Sequence, residues 1–166
     1  MMIKNIKIPE ERLPIIIGVK GSTKRQIQRK TETKIKVDEE ITIEGESLNV
    51  LDAENVIKAI GRGFSPDIAY ELLKEDTAFS ITELPRDARQ RARIKSRLIG
   101  TGGKSRRNIE RLTGTYVSVY GKTVCLIGKY ENIYFAEQAI KKIIDGLPHR
   151  LVYEFLEGKQ NELKKS

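Results

Sequence analysis

The sequence predicts an α+β protein made of two copies of one β-α-α-β-β-α unit. Residues 17–27 reappear 82 positions later as residues 99–109, and the similarity continues downstream at an offset of 83 after one inserted residue. In both copies, apolar patterns of period two and of period 3.6 alternate in the same order, which is typical of short strands and amphipathic helices. An internal repeat of this length indicates two similar domains, residues 1–75 and 76–166.

Each copy begins with a predicted strand. Residues 2–8 alternate apolar and polar side chains, and residues 77–84 hold the same place in the second copy. A proline followed within two residues by an acidic side chain comes next, at residues 9–11 and 85–87. Proline fits the first turn of a helix and carboxylates favour its positive end, so the first helix of each copy is predicted to start there.

The first helix of each copy is predicted to end at a glycine-rich turn. We call these turns the first glycine loop (residues 18–21) and the second glycine loop (residues 100–103). Residues 22–30 and 104–112 then predict second helices with basic outer faces. Two short strands follow in each copy, and Gly-Lys at residues 121–122 predicts a two-residue hairpin because glycine supplies the positive φ of such turns.

Two further helices complete each copy. Apolar side chains at helical spacing predict a third helix over residues 50–60 and 133–143. A short amphipathic helix is then predicted to close each copy, over residues 68–73 and 151–156. Each of the two copies is therefore predicted to be a three-stranded sheet with its own helices, which is an α+β fold.

The segment between the copies is short. Residues 74–76 contain no glycine, proline or serine, so we expect the two halves to pack as one rigid pseudo-repeat. The tail from residue 158 onward is polar, and we expect it to fray.

Positive charge is concentrated in one part of the chain. The 166 residues carry a formal net charge of +8, and residues 86–111 alone contain ten basic and two acidic side chains. The remainder of the sequence therefore sums to zero. A solvated surface would intersperse both signs, so this segment indicates a binding surface for a polyanion.

Several classes of function are excluded by composition. The single cysteine, Cys125, and the single histidine, His149, cannot assemble a zinc site or a Cys-His nucleophile pair. Gly-Gly-Lys-Ser at residues 102–105 is typical of the end of a phosphate-binding P-loop, but Leu98 stands where that motif needs glycine. We expect no catalytic residue, no metal and no cofactor. The absence of a long apolar run or a signal-peptide pattern predicts a cytoplasmic protein without membrane association.

A hydrophobic-Gly-x-x-Gly turn between two helices, present once in each β-α-α-β-β-α unit, resembles the KH domain. The resemblance covers nearly the whole chain and implies two type I KH domains, each a three-stranded antiparallel sheet with helices on one face. In that family the loop clamps four nucleotides of a single strand along an apolar groove. The resemblance therefore implies a non-enzymatic binder of single-stranded RNA.

Residue by residue, the resemblance implies RNA contacts from both loops and from the helices that follow them. In the first copy the predicted RNA-binding residues are Gly18, Val19, Lys20, Gly21, Lys24 and Arg25. In the second copy they are Arg97, Ile99, Gly100, Thr101, Gly102, Gly103, Lys104, Arg106 and Arg107. The predicted groove floors are Ile17, Ile27 and Ile35, and Ile99, Ile109 and Val117.

The two copies are not expected to bind equally. Residues 4–29 carry seven basic and two acidic side chains, fewer cations than the second copy. Lys24 and Arg106 also stand where many KH domains have an apolar residue, and Val19 stands where a polar one is usual. We expect the second copy to be the stronger binder, with the first serving partly as a scaffold.

Three segments resemble a narrower family. Gly-Arg-Gly-Phe-Ser-Pro at residues 61–66, the segment 113–123 and Gly-Leu-Pro-His at residues 146–149 are similar to archaeal members of the Dim-two or partner-of-Nob-one family of ribosome assembly factors. This implies binding to small-subunit ribosomal RNA near its 3′ end, during pre-rRNA processing and small-subunit assembly. The implied partners are an rRNA-trimming endonuclease and other assembly or initiation factors, and we expect a monomer.

Two alternatives stay open at this point. The first is a protein-interaction or scaffold module with vestigial RNA loops, which would dock a partner through Tyr70, Tyr153 and the third helices. The second is a general KH protein that binds RNA or single-stranded DNA and is unconnected to ribosomes. Recognition of double-stranded DNA is less favoured, because no segment has a recognition-helix or zipper pattern.

Overall fold

The computed structural model describes the backbone of residues 1–165 and the side chains of residues 1–162. The chain divides into two compact units, the first ending at Glu75 and the second beginning at Asp76. Each unit contains a three-stranded antiparallel sheet and its own helices. The rigid packing of the two halves stays a prediction.

The first unit follows the predicted order of elements. These are β1 (Met2–Ile6), α1 (Leu13–Ile17), α2 (Ser22–Thr31), β2 (Lys34–Val37), β3 (Ile41–Gly45), α3 (Ser47–Gly61) and α4 (Pro66–Ala69). A 3-10 turn, Tyr70–Leu73, continues the path of α4. The strands lie in the order β1-β3-β2, so the last strand of the unit is the central one.

The second unit repeats this topology. Its elements are β4 (Thr77–Glu83), α5 (Ala88–Ile99), α6 (Lys104–Thr113), β5 (Tyr116–Tyr120), β6 (Thr123–Lys129), α7 (Tyr130–Ile144) and α8 (His149–Lys165). The strand order is β4-β6-β5. Tyr120 pairs with Thr123, which leaves Gly121 (φ 56°) and Lys122 as the predicted two-residue hairpin. The α+β class and the order of elements are confirmed in both units.

The structure corrects the predicted ends of three helices: α1, α5 and the closing helix α8. In the first unit a separate 3-10 turn, Glu10–Arg12, precedes the short helix α1. In the second unit, α5 starts three residues after Pro85, because the side chain of Asp87 accepts a hydrogen bond from the N–H of Gln90 (2.8 Å) and so caps the helix there.

The closing helix of the second unit is long, not short, and the expected frayed tail is wrong for residues 158–165, which continue α8. Lys159 explains part of this extension. Its ammonium lies 5.9 Å from the ring centroid of Phe135 on α7 and pairs with Glu162 one turn later at 3.5 Å. Such cation–ring and i,i+3 contacts stabilise a helix beyond its apolar stripe. Ser166 lies outside the described residues.

A pair of threonines joins the end of the basic helix to the next strand in each unit. In the second unit, the Thr113 hydroxyl donates to the carbonyl of Ile109 (2.6 Å) and lies 2.7 Å from the hydroxyl of Thr115. Because the only proton of the Thr113 hydroxyl is used by that carbonyl, Thr115 must be the donor between the two hydroxyls. Thr31 and Thr33 repeat the arrangement in the first unit.

The threonine pair gives a test of this link. We expect Thr113→Val to lower the free energy of unfolding by about 1–3 kcal/mol, because it leaves the buried Thr115 hydroxyl without its acceptor. Thr115→Val should cost less, since Thr113 keeps its bond to Ile109. Urea denaturation of the two single variants and of the double variant measures the coupling. The double variant should be no less stable than Thr113→Val alone, and additive losses would contradict the arrangement.

Candidate nucleic-acid interface

The two glycine loops have nearly the same backbone. The first glycine of each loop, Gly18 or Gly100, has φ near +75° with an extended ψ (179° and 173°). A Cβ at Gly18 would lie 2.3 Å from the Thr23 hydroxyl oxygen, and a Cβ at Gly100 would lie 2.7 Å from the backbone N of Ser105. Both the dihedral angles and the close contact with the following helix therefore require glycine.

The third position of each loop faces open space. Lys20 (φ 53°) and Gly102 (φ 59°) both adopt the left-handed conformation, and both are exposed. A Cβ added at Gly102 would meet no atom within 4 Å. Another backbone can therefore approach this part of the second loop without meeting a side chain, whereas the first loop carries the Lys20 side chain there.

An arginine folds back onto each loop from the following helix. The Nη1 atom of Arg25 donates to the carbonyl of Lys20 (2.7 Å), and the Nη1 atom of Arg107 donates to the carbonyl of Gly102 (2.6 Å). Both side chains are exposed, and a guanidinium has five N–H donors. Each bond thus holds a cation at the rim of the loop.

The helices that follow the loops begin without a side-chain cap. Helices α2 and α6 start directly after Gly21 and Gly103, and no side chain in the described part of the chain accepts a hydrogen bond from their first N–H groups. The first N–H of each helix, at Ser22 and Lys104, already donates to the carbonyl of Val19 or Thr101. The following N–H groups of the first turn have no partner within the helix, and the helix dipole makes this end positive. Each loop therefore offers backbone donors and an arginine to an anion.

The difference in charge between the units lies largely in their first helices. Helix α1 contains no basic residue, whereas α5 contains Arg89, Arg91, Arg93, Lys95 and Arg97. Arg89 and Arg93 are exposed, as are Lys104 and Arg107 beyond the loop. The second glycine loop is thus approached by cations from both of its helices.

Arg106 and Lys24 occupy equivalent positions with different surroundings. Arg106 pairs with Glu110 at 2.8 Å, and the other oxygen of Glu110 accepts a hydrogen bond from the N–H of Val117 (2.9 Å). In the first unit Gln28 makes the corresponding bond to the N–H of Ile35 (2.8 Å). The carboxylate of Glu110 therefore links the helix to the strand and offsets part of the charge of Arg106.

Arg97 has a structural role that the sequence did not predict. Its guanidinium donates to the carbonyls of Ile143 and Leu147, at the end of α7. In the first unit Arg12 donates to the equivalent carbonyls, those of Ile60 (2.8 Å) and Phe64 (2.9 Å). Because these two bonds tie its side chain to the end of the third helix, we expect Arg97 to stabilise the second unit, and its contact with RNA stays a prediction.

Four of the six predicted groove-floor residues lie in the core. Ile27 and Ile109 are fully buried, and Ile35 and Val117 are 2% and 5% exposed. Their side chains stabilise the units and present no surface to a ligand. Only the isoleucine before each loop reaches the surface: Ile17 is 38% exposed, and Ile99 is half-buried.

Two further observations concern other classes of site. No helix within residues 1–165 combines the length and the apolar character needed to cross a membrane. Among the described residues, no three His, Cys, Asp or Glu side chains come together in a way that could hold a metal ion. Cys125 is buried in strand β6.

Comparison with known proteins places these loops in a family. Residues 3–59 match the KH domain, and residues 77–161 match the eukaryotic type KH domain (KH-domain type I). A KH domain-containing protein from Methanocaldococcus jannaschii is 36% identical, over 99% of this chain and 77% of that protein. The chain belongs to the Dim2/PNO1 family of tandem KH proteins.

Two other KH relatives carry more informative names. The structure of an a/eIF2alpha–aDim2p–rRNA complex from Pyrococcus horikoshii OT3 contains a chain that matches with a TM-score of 0.90 and 38% identity, over 97% of this chain and 95% of that one. A pre-rRNA-processing protein, pno1, from Aspergillus oryzae is 30% identical over 67% of this chain. This chain spans only 45% of the length of that fungal relative.

Reasoning from the KH pattern missed a set of residues beside the second loop. A cleft of about 610 Å³ is lined by Arg93, Ser105, His149 and Tyr153 together with loop residues. The Gly-Leu-Pro-His segment at residues 146–149 marks the start of α8, but only the folded chain brings it next to the loop. The signal available in the sequence was the position of the single histidine.

The assignment of Arg97 can be tested by stability. We expect Arg97→Gln to lower the free energy of unfolding by about 2 kcal/mol, because two carbonyls lose a charged donor. Arg89→Gln removes the same charge from an exposed position of α5 and should change stability by less than about 0.5 kcal/mol. Urea denaturation measures both. Unchanged stability of Arg97→Gln with reduced RNA affinity would return Arg97 to the RNA-binding surface.

Proposed function

We propose that the chain binds a single-stranded segment of small-subunit ribosomal RNA near its 3′ end and acts in pre-rRNA processing and small-subunit assembly, in the cytoplasm. The observation that carries this proposal is the pair of matching glycine loops, each followed by an uncapped helix and edged by an arginine. The rRNA complex formed by the Pyrococcus relative supports the choice of RNA.

The geometry suits a phosphodiester chain in a specific way. Phosphates would lie over the open third position of the loop, within reach of the helix N–H groups and of Arg107 or Arg25. The exposed part of Ile99 or Ile17 offers an apolar contact to a base beside them. Phosphate contacts would hold the strand in register, while base contacts beside the loop would select sequence.

We assign the stronger binding to the second unit. Its loop is flanked by the exposed Arg93, Lys104 and Arg107, whereas the helix before the first loop carries no cation. Neutralising phosphates with arginine and lysine releases counterions, which supplies much of the affinity of such complexes. The first unit then serves as a weaker second contact and as a scaffold.

The proposed role is to hold RNA and recruit other factors rather than to catalyse a reaction. An rRNA-trimming endonuclease and initiation factors are the proposed protein partners, and the presence of eIF2alpha in the complex of the Pyrococcus relative supports the second of these. The RNA strand held at the glycine loops would be presented to these partners in a fixed register.

A protein-interaction role is the second candidate, and one observation favours it. Large side chains stand exposed at the start of both third helices: Leu48 is 77% exposed on α3, and Tyr130 and Tyr134 are 66% and 59% exposed on α7. Exposed apolar and aromatic side chains in a group are typical of protein contacts. These exposed side chains, one on α3 of the first unit and two on α7 of the second, are compatible with RNA binding at the loops, and protein contacts would replace RNA binding only if the loops are inactive.

Acidic side chains in the second loop test the RNA proposal. We expect Thr101→Asp with Gly102→Asp to weaken binding of a 3′-terminal fragment of small-subunit rRNA by about 100-fold, because the added charges repel phosphate. Fluorescence polarisation measures the affinity. The change Thr101→Asn with Gly102→Asn is the matched control, since it adds similar side chains at the same φ without charge. Equal affinities of the two variants would contradict the proposal.

The same change in the first loop tests the ranking of the two units. We expect Val19→Asp with Lys20→Asp to reduce the affinity by a smaller factor than the change in the second loop. Lys20 already adopts the left-handed conformation, so the substitution adds little backbone strain. An equal or larger loss would reverse the ranking while leaving RNA binding itself in place.

The salt dependence of binding counts the phosphates. On a single strand, log affinity falls with log salt by about 0.7 per neutralised phosphate, so one loop holding four phosphates should give a slope of about −3 and two such loops about −6. Titrations of the same RNA fragment from low to moderate salt measure this slope. A flat response would favour the protein-interaction module.

A further inference from the structure

The cleft of about 610 Å³ lies on one flank of the second glycine loop, between the end of α5 and the start of α8. We call it the closing-helix cleft, and it is lined by Arg93, Ser96, Arg97, Lys104, Ser105, His149 and Tyr153 together with the loop residues Gly100 and Thr101. Neither Ile99 nor Val117, two of the predicted groove-floor residues, lines it. The cleft is therefore separate from the apolar groove that the KH resemblance predicts.

One wall of the closing-helix cleft is suited to a phosphate. Lys104 and Ser105 are the first two residues of α6, whose N-terminus has no side-chain cap in the described structure, and Arg93 and Lys104 are exposed cations. Ser105 is only 3% exposed, and its buried Oγ has no hydrogen-bond partner among residues 1–162. A buried hydroxyl without a partner is uncommon, and a bound ligand is one explanation for it.

The opposite wall is aromatic. The ring centroids of His149 and Tyr153, one turn apart on α8, are separated by 6.0 Å at an angle of 35°. His149 is held in place because its Nε2 lies 2.7 Å from the carbonyl oxygen of Arg97. A carbonyl oxygen only accepts, so Nε2 carries a proton in this contact. The side chains thus form a fixed platform on which a planar ring can stack.

The first unit does not repeat this combination of side chains. The positions equivalent to Arg93, Lys104 and His149 are occupied by Glu11, Ser22 and Pro66. The equivalent of Tyr153 is Tyr70, whose hydroxyl lies 3.0 Å from Oε1 of Gln26 and whose ring is covered by the ammonium of Lys30, 4.9 Å from the centroid.

Tyr70 is engaged within its own unit. Burial, and then the charge of Asp67, raise the pKa of its hydroxyl, so Tyr70 stays protonated and donates to the Gln26 side chain. The tyrosine at this position makes polar and cation–ring contacts within the first unit, whereas in the second unit Tyr153 packs against the core and also lines a cleft. The difference indicates a function specific to the second unit.

We propose that the closing-helix cleft is an additional RNA subsite, which takes one nucleotide adjoining those held by the second glycine loop. The base stacks on Tyr153 and His149, and its phosphate lies at Arg93, Lys104 and the Ser105 hydroxyl. This inference rests on the proposed function and extends it. The volume falls within the range of about 300–1,000 Å³ that is usual for small-molecule sites, which is enough for one nucleotide.

Continuity with the loop favours RNA over an acidic peptide. Gly100 and Thr101 of the second glycine loop form part of the cleft, so a strand held at the loop passes directly into it. The cations and the helix N-terminus would suit a carboxylate as well as a phosphate, but a nucleotide also uses the flat aromatic wall. An acidic peptide is therefore an alternative outcome of the test.

The test combines shortened RNA with substitutions in the cleft. The probe is a 3′-terminal small-subunit rRNA fragment that the full chain binds, together with versions shortened by two nucleotides from either end. We expect shortening from one end to weaken wild-type binding by about tenfold, the usual effect of one stacked base. Tyr153→Leu and Arg93→Gln should each lower affinity for the complete fragment and remove most of the difference between the two lengths.

Matched controls separate a subsite from a general defect. Tyr70→Leu makes the same change in the first unit, and Lys141→Gln removes one exposed charge from α7, so neither should alter the length dependence. Arg93 is exposed, which keeps its variant informative if Tyr153→Leu loses stability. Thermal denaturation of every variant confirms that the fold is retained.

The outcomes distinguish the inference from the proposed function. If Tyr153→Leu and Arg93→Gln weaken both RNA lengths by the same factor, or if wild-type binding does not depend on length, the subsite is overturned while loop binding stands. Unchanged affinities of both variants would also overturn it and leave the cleft for an acidic peptide. If the wild-type chain binds no fragment at all, the proposed function fails together with the subsite.

Discussion

The close contact between the first loop glycine and the start of the following helix is the constraint on which the interface depends. Gly100 lies against the backbone of Ser105, and no side chain fits between them. The turn from α5 into α6 can therefore be completed in a few residues, which leaves the N-terminus of α6 at the surface. The same contact, made by Gly18 and Thr23, leaves the N-terminus of α2 at the surface of the first unit in the same way.

Both units place an arginine against the carbonyls at the end of the third helix, but the arginine comes from a different position of the repeat in each unit. Each third helix ends in carbonyls that receive a guanidinium, from Arg12 in one unit and from Arg97 in the other. Arg12 and Arg97 do not align in the repeat. Helix α5 still carries exposed cations, whereas α1 carries none, so the repeat produces two similar loops with unequal electrostatic fields.

Helix α8 adds to the second unit a surface that the repeat alone does not contain. It places His149 and Tyr153 beside the loop, while its later residues pack Lys159 near Phe135 on α7. The single carbonyl contact of Arg97 with His149 connects this aromatic wall to the helix that leads into the loop. Stability of the closing helix and the shape of the cleft are therefore linked, and a substitution that loosens α8 changes the proposed RNA subsite as well.

The sequence by itself determined the repeat, the order of elements, both glycine loops and the segment that carries the positive charge, because each depends on local residue patterns or on a backbone angle that glycine favours. Tertiary structure decided which members of that pattern are exposed to solvent and which are buried or bound within the fold. Ile27 and Ile109 entered the core while Ile17 and Ile99 stayed at the surface, and Arg97 was bound by carbonyls 46 and 50 residues away. Burial and long-range hydrogen bonds depend on which groups the packed helices bring close together in space. The spacing of residues along the chain does not determine those distances.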